Sequence, residues 1–115
     1  FCCPSIYEPF GIINLEAMAC ETPVVSSMVG GIPEVVAHDE TGLLVPVAQQ
    51  SESPFAPLYP RTYAKDLAHQ VNQLMEDPKK RKRFARAGRK RAVERFSWTS
   101  IAKQTRDLYE ALKKS

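Results

Sequence analysis

The sequence predicts an α/β fold in which a parallel sheet with flanking helices is followed by a helical C-terminus. Residues 1–47 alternate short, wholly apolar, β-branched runs with helical segments, which is typical of parallel strands covered on both faces. Beyond residue 61 the apolar residues recur at helical spacing. Three strands are too few for a complete doubly wound domain, so we expect an upstream half and interpret the chain as a carboxy-terminal part.

Glycine and proline mark the limits of the elements in the first third. Good helix formers follow Gly11, and Glu21-Thr22-Pro23 ends that helix. Pro33 suits the first turn of a second, short helix. We expect strand, helix, strand, helix and strand in this order: residues 1–4, 12–20, 24–27, 33–37 and 43–45.

Residues 48–61 are predicted to be a Pro-rich surface loop, and residues 62–115 to be helices that complete the same domain as residues 1–47. A new helix is expected at Asp77-Pro78, a break at Gly88, and Ser97 as the N-cap of the last helix. The aromatic residues of this last part recur at helical spacing, which predicts that they lie in the core: Phe96, Trp98 and Tyr109.

The composition is that of an ordinary globular protein, with 43% apolar and 25% charged residues. No apolar stretch is long enough to span a membrane, and a cytoplasmic location is expected. The three cysteines are odd in number and lack C-x-x-C spacing, so they are expected to be buried, reduced thiols. The sequence contains no cluster of metal-ligating residues, so no metal site is predicted.

Glu8 and Glu16 are the only charges between Phe1 and Cys20. A charge in an apolar segment needs a partner or a solvent-filled site, which suggests a pocket lined with acceptors for hydroxyl groups. The loop before the helix lies where a strand ends, and the free N–H groups of a helix start favour an anion. Glu16 shares a helical face with Ile12, Leu15 and Ala19, so we expect it not to be simply solvent-facing if that face packs. The alternative is that both are ordinary acidic residues of a helix start.

A dense basic run lies in the second half of the chain. It allows two interpretations: a surface for nucleic acid, an anionic surface or an acidic partner, or a solvated face of two short helices. The solvated face is favoured because no aromatic residues interleave with the charges, and no nucleic-acid partner is expected. The run consists of Lys79, Lys80, Arg81, Lys82, Arg83, Arg86, Arg89, Lys90, Arg91 and Arg95.

Three stretches of the sequence carry a resemblance to a known family. They are Pro4-Ser5-Ile6-Tyr7-Glu8-Pro9-Phe10-Gly11-Ile12-Ile13-Asn14-Leu15-Glu16-Ala17-Met18-Ala19-Cys20, Thr22-Pro23-Val24-Val25 and Gly30-Gly31-Ile32-Pro33-Glu34-Val35-Val36. With Glu8 and Glu16 in E-x7-E spacing, they resemble retaining glycosyltransferases of the GT-B fold (glycosyl transferases group 1), in particular bacterial ADP-glucose-type glycogen synthases. The resemblance implies a partial Rossmann-like sheet, the C-terminal half of a nucleotide-sugar-binding domain.

The resemblance also implies roles for individual residues. Glu8 would lie against the donor hexose as the catalytic residue, an electrostatic stabiliser rather than a nucleophile. The backbone of Phe10, Gly11 and Ile12 would hold the hexose hydroxyls and the distal phosphate. Glu16 would hold the ribose hydroxyls. Gly30-Gly31 would form a tight loop nearby, with a ligand role or a plain turn as equal alternatives. No cofactor or metal is implied, since the nucleotide sugar is the substrate.

The function implied is transfer of glucose from a nucleotide sugar, with ADP-glucose as the expected donor, to an α-glucan, as in glycogen synthases. The glucan or other sugar acceptor would bind through an N-terminal domain. The family's Arg/Lys phosphate clamp would also lie upstream, so the 115 residues alone are expected to be inactive. Three alternatives stay open: a nucleotide-sugar-binding module without catalysis, a mannosyl or other hexosyl transferase of the same family, and a basic nucleic-acid-binding domain.

Overall fold

Three parallel strands and five helices make up the fold in the computed structural model, which describes residues 1–115. The mixed α/β class and the strand–helix–strand–helix–strand order expected for the first third are confirmed. The elements are β1 (Cys2–Cys3), α1 (Ile12–Ala19), β2 (Val24–Ser27), α2 (Ile32–Val35), β3 (Gly42–Val45), α3 (Pro60–Glu76), α4 (Pro78–Phe96) and α5 (Trp98–Lys113).

The sheet has the order β1-β2-β3, and both strand pairs are parallel. Val25 of the central strand pairs with Cys2 on one side and with Leu43 on the other. The parallel arrangement requires a crossover between successive strands, and α1 and α2 supply the two crossovers. All three carboxyl ends therefore lie along the same edge of the sheet.

Successive residues of the strands point to opposite faces and so build two separate hydrophobic clusters. On one face, Val24 and Leu44 pack with α1, α2 and Ala92 of α4. On the other face, Val25 and Leu43 pack with residues of α3 and α4. The second cluster consists of Val25, Leu43, Val45, Leu74 and Phe84, with Tyr63, Leu67 and Val71 packed against it.

Helix α4 holds the ends of three other helices. Carbonyl groups in the last turn of a helix lack partners within it, and arginine side chains can satisfy them. Three arginines of α4 do so, and the charge of each is thereby committed to a helix end. Arg81 Nη1 donates to the carbonyl oxygen of Leu74 at 2.8 Å, Arg89 Nη1 to that of Ala19 at 2.7 Å, and Arg91 Nε and Nη2 to those of Val35 and Glu34, both at 2.8 Å.

The starts of α4 and α5 follow their side-chain caps, whereas one predicted helix break is absent. Asp77 Oδ1 accepts from the N–H of Lys80 at 2.9 Å, and Ser97 Oγ accepts from the N–H of Ser100 at 3.1 Å, as the expected helix starts require. The predicted break at Gly88 is wrong, because α4 is continuous through it. Gly88 is buried against Met18 of α1, so the small residue serves the contact between these two helices.

The last helix, α5, contains no buried residue. Trp98 is 88% exposed and Tyr109 is exposed, so the prediction that they belong to the core is wrong. Phe96 is half-buried, edge-on to Phe10 with ring centroids 6.2 Å apart. The helical spacing correctly indicates that α5 has one apolar face, but spacing does not indicate what covers that face.

The cysteines differ in their environments. Cys3 is buried, whereas Cys2 and Cys20 are exposed, so the prediction that all three are buried is wrong. None forms a disulfide, as expected from their spacing. No helix in the structure combines the length and the apolar character that a membrane crossing requires.

Candidate functional site

The candidate site lies at the carboxyl edge of the sheet, where the segment after β1 meets the segment after β2. The first segment runs through Glu8 to α1, and the second runs through Gly30 and Gly31 to α2. The two are joined directly, because the N–H of Gly31 donates to the carbonyl oxygen of Glu8 at 3.1 Å. In open parallel sheets, this edge is where ligands bind.

Glycine is required at positions 30 and 31 by the closeness of the two segments. Gly30 has a φ of 52°, in the left-handed region, and a Cβ there would collide with the carbonyl oxygen of Glu8. A Cβ on Gly31 would collide with the carbonyl oxygen of Pro9 and would lie 2.8 Å from the Cα of Phe10. The Gly30-Gly31 pair therefore packs directly against the backbone of the Glu8 loop. This is a structural role, and the sequence alone did not distinguish it from a ligand role.

The side chain of Glu8 is half-buried, and one of its oxygens is used within the loop. Oε1 accepts from the N–H of Gly11 at 3.2 Å, which is the contact expected of an acidic residue just before a helix. Its second oxygen has no hydrogen-bond or ion-pair partner in the structure. Glu8 thus stabilises the turn with one oxygen and keeps the other available for a ligand hydroxyl.

The N-terminus of α1 is open. Gly11 occupies the N-cap position with φ 91° and ψ 41°, and no side chain caps the helix. The backbone N–H groups of Ile12 and Ile13 have no backbone acceptor, whereas that of Asn14 donates to the carbonyl oxygen of Gly11 at 3.0 Å. Phe10, just before the cap, is 38% exposed. Two free N–H groups and the positive end of the helix dipole therefore remain to bind an anion.

Glu16 is exposed, so the expectation that it is not simply solvent-facing is wrong. The buried face of α1 is instead formed by Asn14 and Met18. Because α1 carries apolar residues on both faces, the pattern alone does not determine which face is covered. Glu16 lies at the rim of an open groove, about 6 Å along the helix axis from Ile12. The groove is lined by Ile12, Leu15, Glu16, Ala19, Ala92, Val93, Phe96, Ser97 and Trp98.

Two polar contacts from the end of β2 hold the helices on either side of the sheet, and neither was predicted from the sequence. Ser26 Oγ donates to Asn14 Oδ1 of α1 at 2.6 Å, between two fully buried side chains. The Nδ2 atom of Asn14 has no partner. On the opposite face, Ser27 Oγ shares a hydrogen bond with the hydroxyl of Tyr63, and burial raises the pKa of this phenol above its usual value of 10.0. An asparagine among apolar helix residues is the signal that could have revealed the first pair.

The segment between β3 and α3 packs against the loop that leads to Glu8. Gln49 Nε2 donates to the carbonyl oxygen of Ile6 at 2.6 Å and to that of Phe55 at 2.9 Å. The rings of Tyr7 and Phe55 stack with their centroids 5.5 Å apart. This segment therefore also holds the loop that leads to Glu8, although nothing in its sequence indicated such a role.

The structure brings Glu8, Phe10, Gly11 and Ile12 together in one turn and places Glu16 farther along the same helix. It contains no cluster of three or more His, Cys, Asp or Glu residues that could hold a metal ion. A half-buried carboxylate beside an uncapped helix start can accept hydroxyl groups and bind an anion at the same time. This combination suits a ligand that joins a sugar to a phosphate.

Comparison with known proteins shows which family the first part of the chain resembles. The sequence model described as "Glycosyl transferases group 1" matches residues 1–53, which include the whole Glu8–Glu16 turn. The first 53 residues of the chain are thus similar to the glycosyl transferases group 1 family. The resemblance to this family is confirmed, and the matched range includes Glu8, Phe10, Gly11, Ile12 and Glu16.

Curated relatives extend the similarity along nearly the whole chain. It is 52% identical over 110 residues to the α-maltose-1-phosphate synthase of Mycolicibacterium smegmatis, covering 95% of this chain and 26% of that protein. It is 38% identical over 111 residues to the glycogen synthase of Mycobacterium tuberculosis, covering 96% of this chain and 23% of that protein. The chain thus spans about a quarter of the length of the curated relatives that it matches.

Solved structures agree on the fold. The sucrose-phosphate synthase of Thermosynechococcus elongatus is 39% identical with a TM-score of 0.73, over 96% of this chain and 24% of that one. Anabaena Alr3699/HepE in complex with UDP-glucose is 30% identical with a TM-score of 0.70, over 96% of this chain and 27% of that one. The three parallel strands and their helices therefore correspond to about a quarter of a GT-B glycosyltransferase.

Proposed function

We propose that this chain is the donor-binding part of a retaining hexosyltransferase that takes glucose from a nucleotide sugar, with ADP-glucose as the donor. The observation that supports this most directly is the turn in which a half-buried Glu8 carboxylate with one free oxygen lies beside the uncapped N-terminus of α1. The match of residues 1–53 to the glycosyl transferases group 1 model and the similarity to the Anabaena structure in complex with UDP-glucose support a nucleotide sugar as the ligand.

The diphosphate of the donor would bind at the start of α1. The free N–H groups of Ile12 and Ile13 point out of the helix end, and the helix dipole favours negative charge there. Gly11 has no side chain to obstruct the approach of a phosphate, and Phe10 and Ile12 extend the same turn on either side. No acidic residue lies in the first turn of α1 to repel the anion.

Glu8 would contact the hexose. Its free oxygen can accept from a sugar hydroxyl, and its negative charge would stabilise the positive charge that develops at the anomeric carbon. In front-face retention, the bond between the anomeric carbon and the phosphate oxygen breaks while the acceptor hydroxyl oxygen bonds to that carbon. The proton of the acceptor hydroxyl passes to the departing diphosphate. Glu8 therefore acts as an electrostatic stabiliser, and no covalent enzyme intermediate is required.

Glu16 would hold the ribose of the nucleotide. Its carboxylate can accept from both vicinal hydroxyls, and its position at the rim of the groove leaves it open to a ligand that extends from the helix start. The transfer is proposed to use no metal or other cofactor from this chain.

Two candidate functions differ in the acceptor of the glucosyl group. An α-glucan would be the acceptor of a glycogen synthase, as the sequence resemblance implied. The higher identity of 52% to an α-maltose-1-phosphate synthase, against 38% to a glycogen synthase, favours a second candidate, in which glucose 1-phosphate accepts the glucosyl group and the product is α-maltose 1-phosphate. Incubating the complete protein with labelled ADP-glucose and either glycogen or glucose 1-phosphate distinguishes the two by the product that carries the label.

The site assignment is tested by kinetics of the complete protein. Glu8→Gln should lower kcat by about 10²- to 10³-fold, as loss of one transition-state electrostatic contact does elsewhere. Glu16→Gln should mainly raise KM for the nucleotide sugar, because it removes a contact made equally in the ground state and transition state. Glu76→Gln, at the exposed end of α3, is the matched control and should change neither constant.

If both site variants keep the kinetic constants of the parent protein, the assignment is wrong. If the complete protein binds a nucleotide sugar by calorimetry but transfers no sugar to any acceptor, the chain belongs to a binding module instead. Comparing ADP-glucose, UDP-glucose and GDP-mannose in the same assay identifies the nucleotide and distinguishes a glucosyl from a mannosyl transferase.

A further inference from the structure

Nine of the ten residues of the basic run on α4 divide into two groups with different environments. Arg81, Arg89 and Arg91 donate to the carbonyl groups that end α3, α1 and α2. Lys80 forms an ion pair with Asp39, with Nζ and Oδ1 3.2 Å apart. These four charged groups therefore have partners within the protein and are not available to bind another molecule.

Five further basic residues point away from the body of the protein. They are spaced by one, three or four positions, which places them along one face of the helix over about 16 Å. The opposite face is buried through Phe84, Gly88 and Ala92. We call the five the basic stripe: Lys79, Lys82, Arg83, Arg86 and Lys90, which together with Ala87 line one shallow surface.

No carboxylate neutralises the basic stripe. The structure contains two ion pairs, Lys80–Asp39 and Arg106–Asp107, and neither involves the stripe. The guanidinium group of Arg83 lies 5.5 Å from the ring centroid of Phe84, which positions the group without cancelling its charge. Five unpaired like charges repel one another at this spacing, and an anionic partner would relieve the repulsion.

The stripe is separate from the proposed donor site. The C-terminal end of α4 reaches the Glu8 loop, where Phe96 contacts Phe10. Lys90 precedes Phe96 by about 9 Å along the helix axis and Lys79 by about 25 Å. A partner that covers the stripe would therefore leave the start of α1 accessible.

The chemistry of the stripe favours a lipid surface over a nucleic acid. Its side chains are lysines and arginines around a single alanine, with no aromatic ring to stack on a base and no amide or hydroxyl to read a base edge. Mobile phosphate headgroups can rearrange around point charges, so a bilayer needs no such groups.

We propose that the basic stripe docks this protein on the surface of a bilayer that contains anionic phospholipids. The helix lies parallel to the bilayer plane, held to the protein by its buried face and to the phosphate headgroups by the stripe. Attraction of this kind weakens with salt and falls off within a Debye length. The stripe is thus a peripheral docking surface, independent of the proposed transferase function.

Co-sedimentation of the complete protein with vesicles tests the proposal. Vesicles of phosphatidylcholine with phosphatidylglycerol should bind the protein at low salt, and vesicles of phosphatidylcholine alone should not. Each lysine or arginine near an anionic surface changes the partition about fivefold, so the triple variant Lys82→Gln, Arg83→Gln, Arg86→Gln should bind roughly a hundredfold more weakly. The matched control is Lys65→Gln, Lys103→Gln, Lys113→Gln, which removes the same charge from exposed positions outside the stripe and should bind like the parent.

Three results would overturn the proposal. The first is no binding of the parent protein to the anionic vesicles at low salt. The second is an equal loss in the stripe variant and its control, which would mean that net charge alone is responsible. The third is a stripe-dependent shift of duplex DNA in a gel without binding to vesicles, which would identify a nucleic-acid surface. Circular dichroism and the urea midpoint establish that both variants are folded, as expected for exposed helix positions.

Discussion

The contact between the Glu8 loop and the Gly30-Gly31 loop predicts a large effect of one added methyl group. In the variant Gly30→Ala, the new Cβ would collide with the carbonyl oxygen of Glu8, which accepts from the N–H of Gly31 at 3.1 Å in the structure. Alanine is also disfavoured at the observed φ of 52°. The variant should therefore lose stability and should displace Glu8 and the start of α1.

The size of the effect follows from two contributions. Placing a non-glycine residue in the left-handed region costs about 1–2 kcal/mol. Separating the loops removes the Gly31–Glu8 hydrogen bond, which contributes about 1 kcal/mol, and leaves a part-buried carbonyl short of its partner. Together they should lower the free energy of unfolding by about 2–4 kcal/mol.

Urea denaturation of the 115-residue chain, followed by circular dichroism, measures this change. The matched control is Gly88→Ala, because Gly88 lies inside helix α4 and a Cβ there would meet Met18 at an ordinary 3.5 Å. Alanine is the better helix former, so Gly88→Ala should raise the free energy of unfolding by about 0.5–1 kcal/mol. The same chemical change should thus have opposite signs at the two sites.

A second measurement separates the site from general stability. In the complete protein, Gly30→Ala should weaken nucleotide-sugar binding in calorimetry, whereas Gly88→Ala should leave it unchanged. A Gly30→Ala variant with parental stability and parental affinity would refute the role assigned to the two loops. So would a destabilisation of equal size at Gly88.

Three further outcomes are expected. In a double-mutant cycle, Asn14→Ala and Ser26→Ala should each lower the free energy of unfolding by about 1–3 kcal/mol. The double variant should lose less than the sum of the two, and strict additivity would contradict the buried hydrogen bond. Trp98, 88% exposed and the only tryptophan, should show in the 115-residue chain the emission and acrylamide quenching of a solvated indole; shielded emission would mean that its face is covered. Because burial raises the pKa of Tyr63, the folded chain keeps the phenol proton to a higher pH than the unfolded chain, so the free energy of unfolding should fall as the pH rises above 10.0. Tyr63→Phe should flatten this pH dependence in urea titrations, and an unchanged pH dependence would refute the prediction.

The elements of the sheet were predictable because their determinants are local. Continuous apolar runs such as the one that becomes β3 favour parallel strands covered on both faces, and the crossover helices fix their direction. Ser97 was recognised as a cap because its hydroxyl bonds only three residues away. For the same reason, the turn from Glu8 to Gly11 was recognised as the centre of the candidate site.

Features that depend on distant partners could not be predicted from the sequence. The pattern of α1 did not reveal that Asn14 packs inward while Ile12 faces the groove, because both faces carry apolar residues. Gly88 looked like a break, although its reason lies in Met18, 70 positions earlier. The bonds of Gln49 to Ile6 and of Arg91 to Val35 likewise join residues far apart in the sequence, with no local pattern to indicate them.

The two hydrophobic clusters limit what can fold by itself. The region matched by the family model ends at residue 53, yet Ala92 closes the cluster on one face of the sheet, and Leu74 and Phe84 close the one on the other. A polypeptide ending at residue 53 would expose both faces of its three strands to water and would lose the arginines that cap α1 and α2. The segment that the family model matches is therefore smaller than the segment that folds, and the Glu8 turn needs α3 and α4 to keep its shape even though neither helix contributes a residue to it.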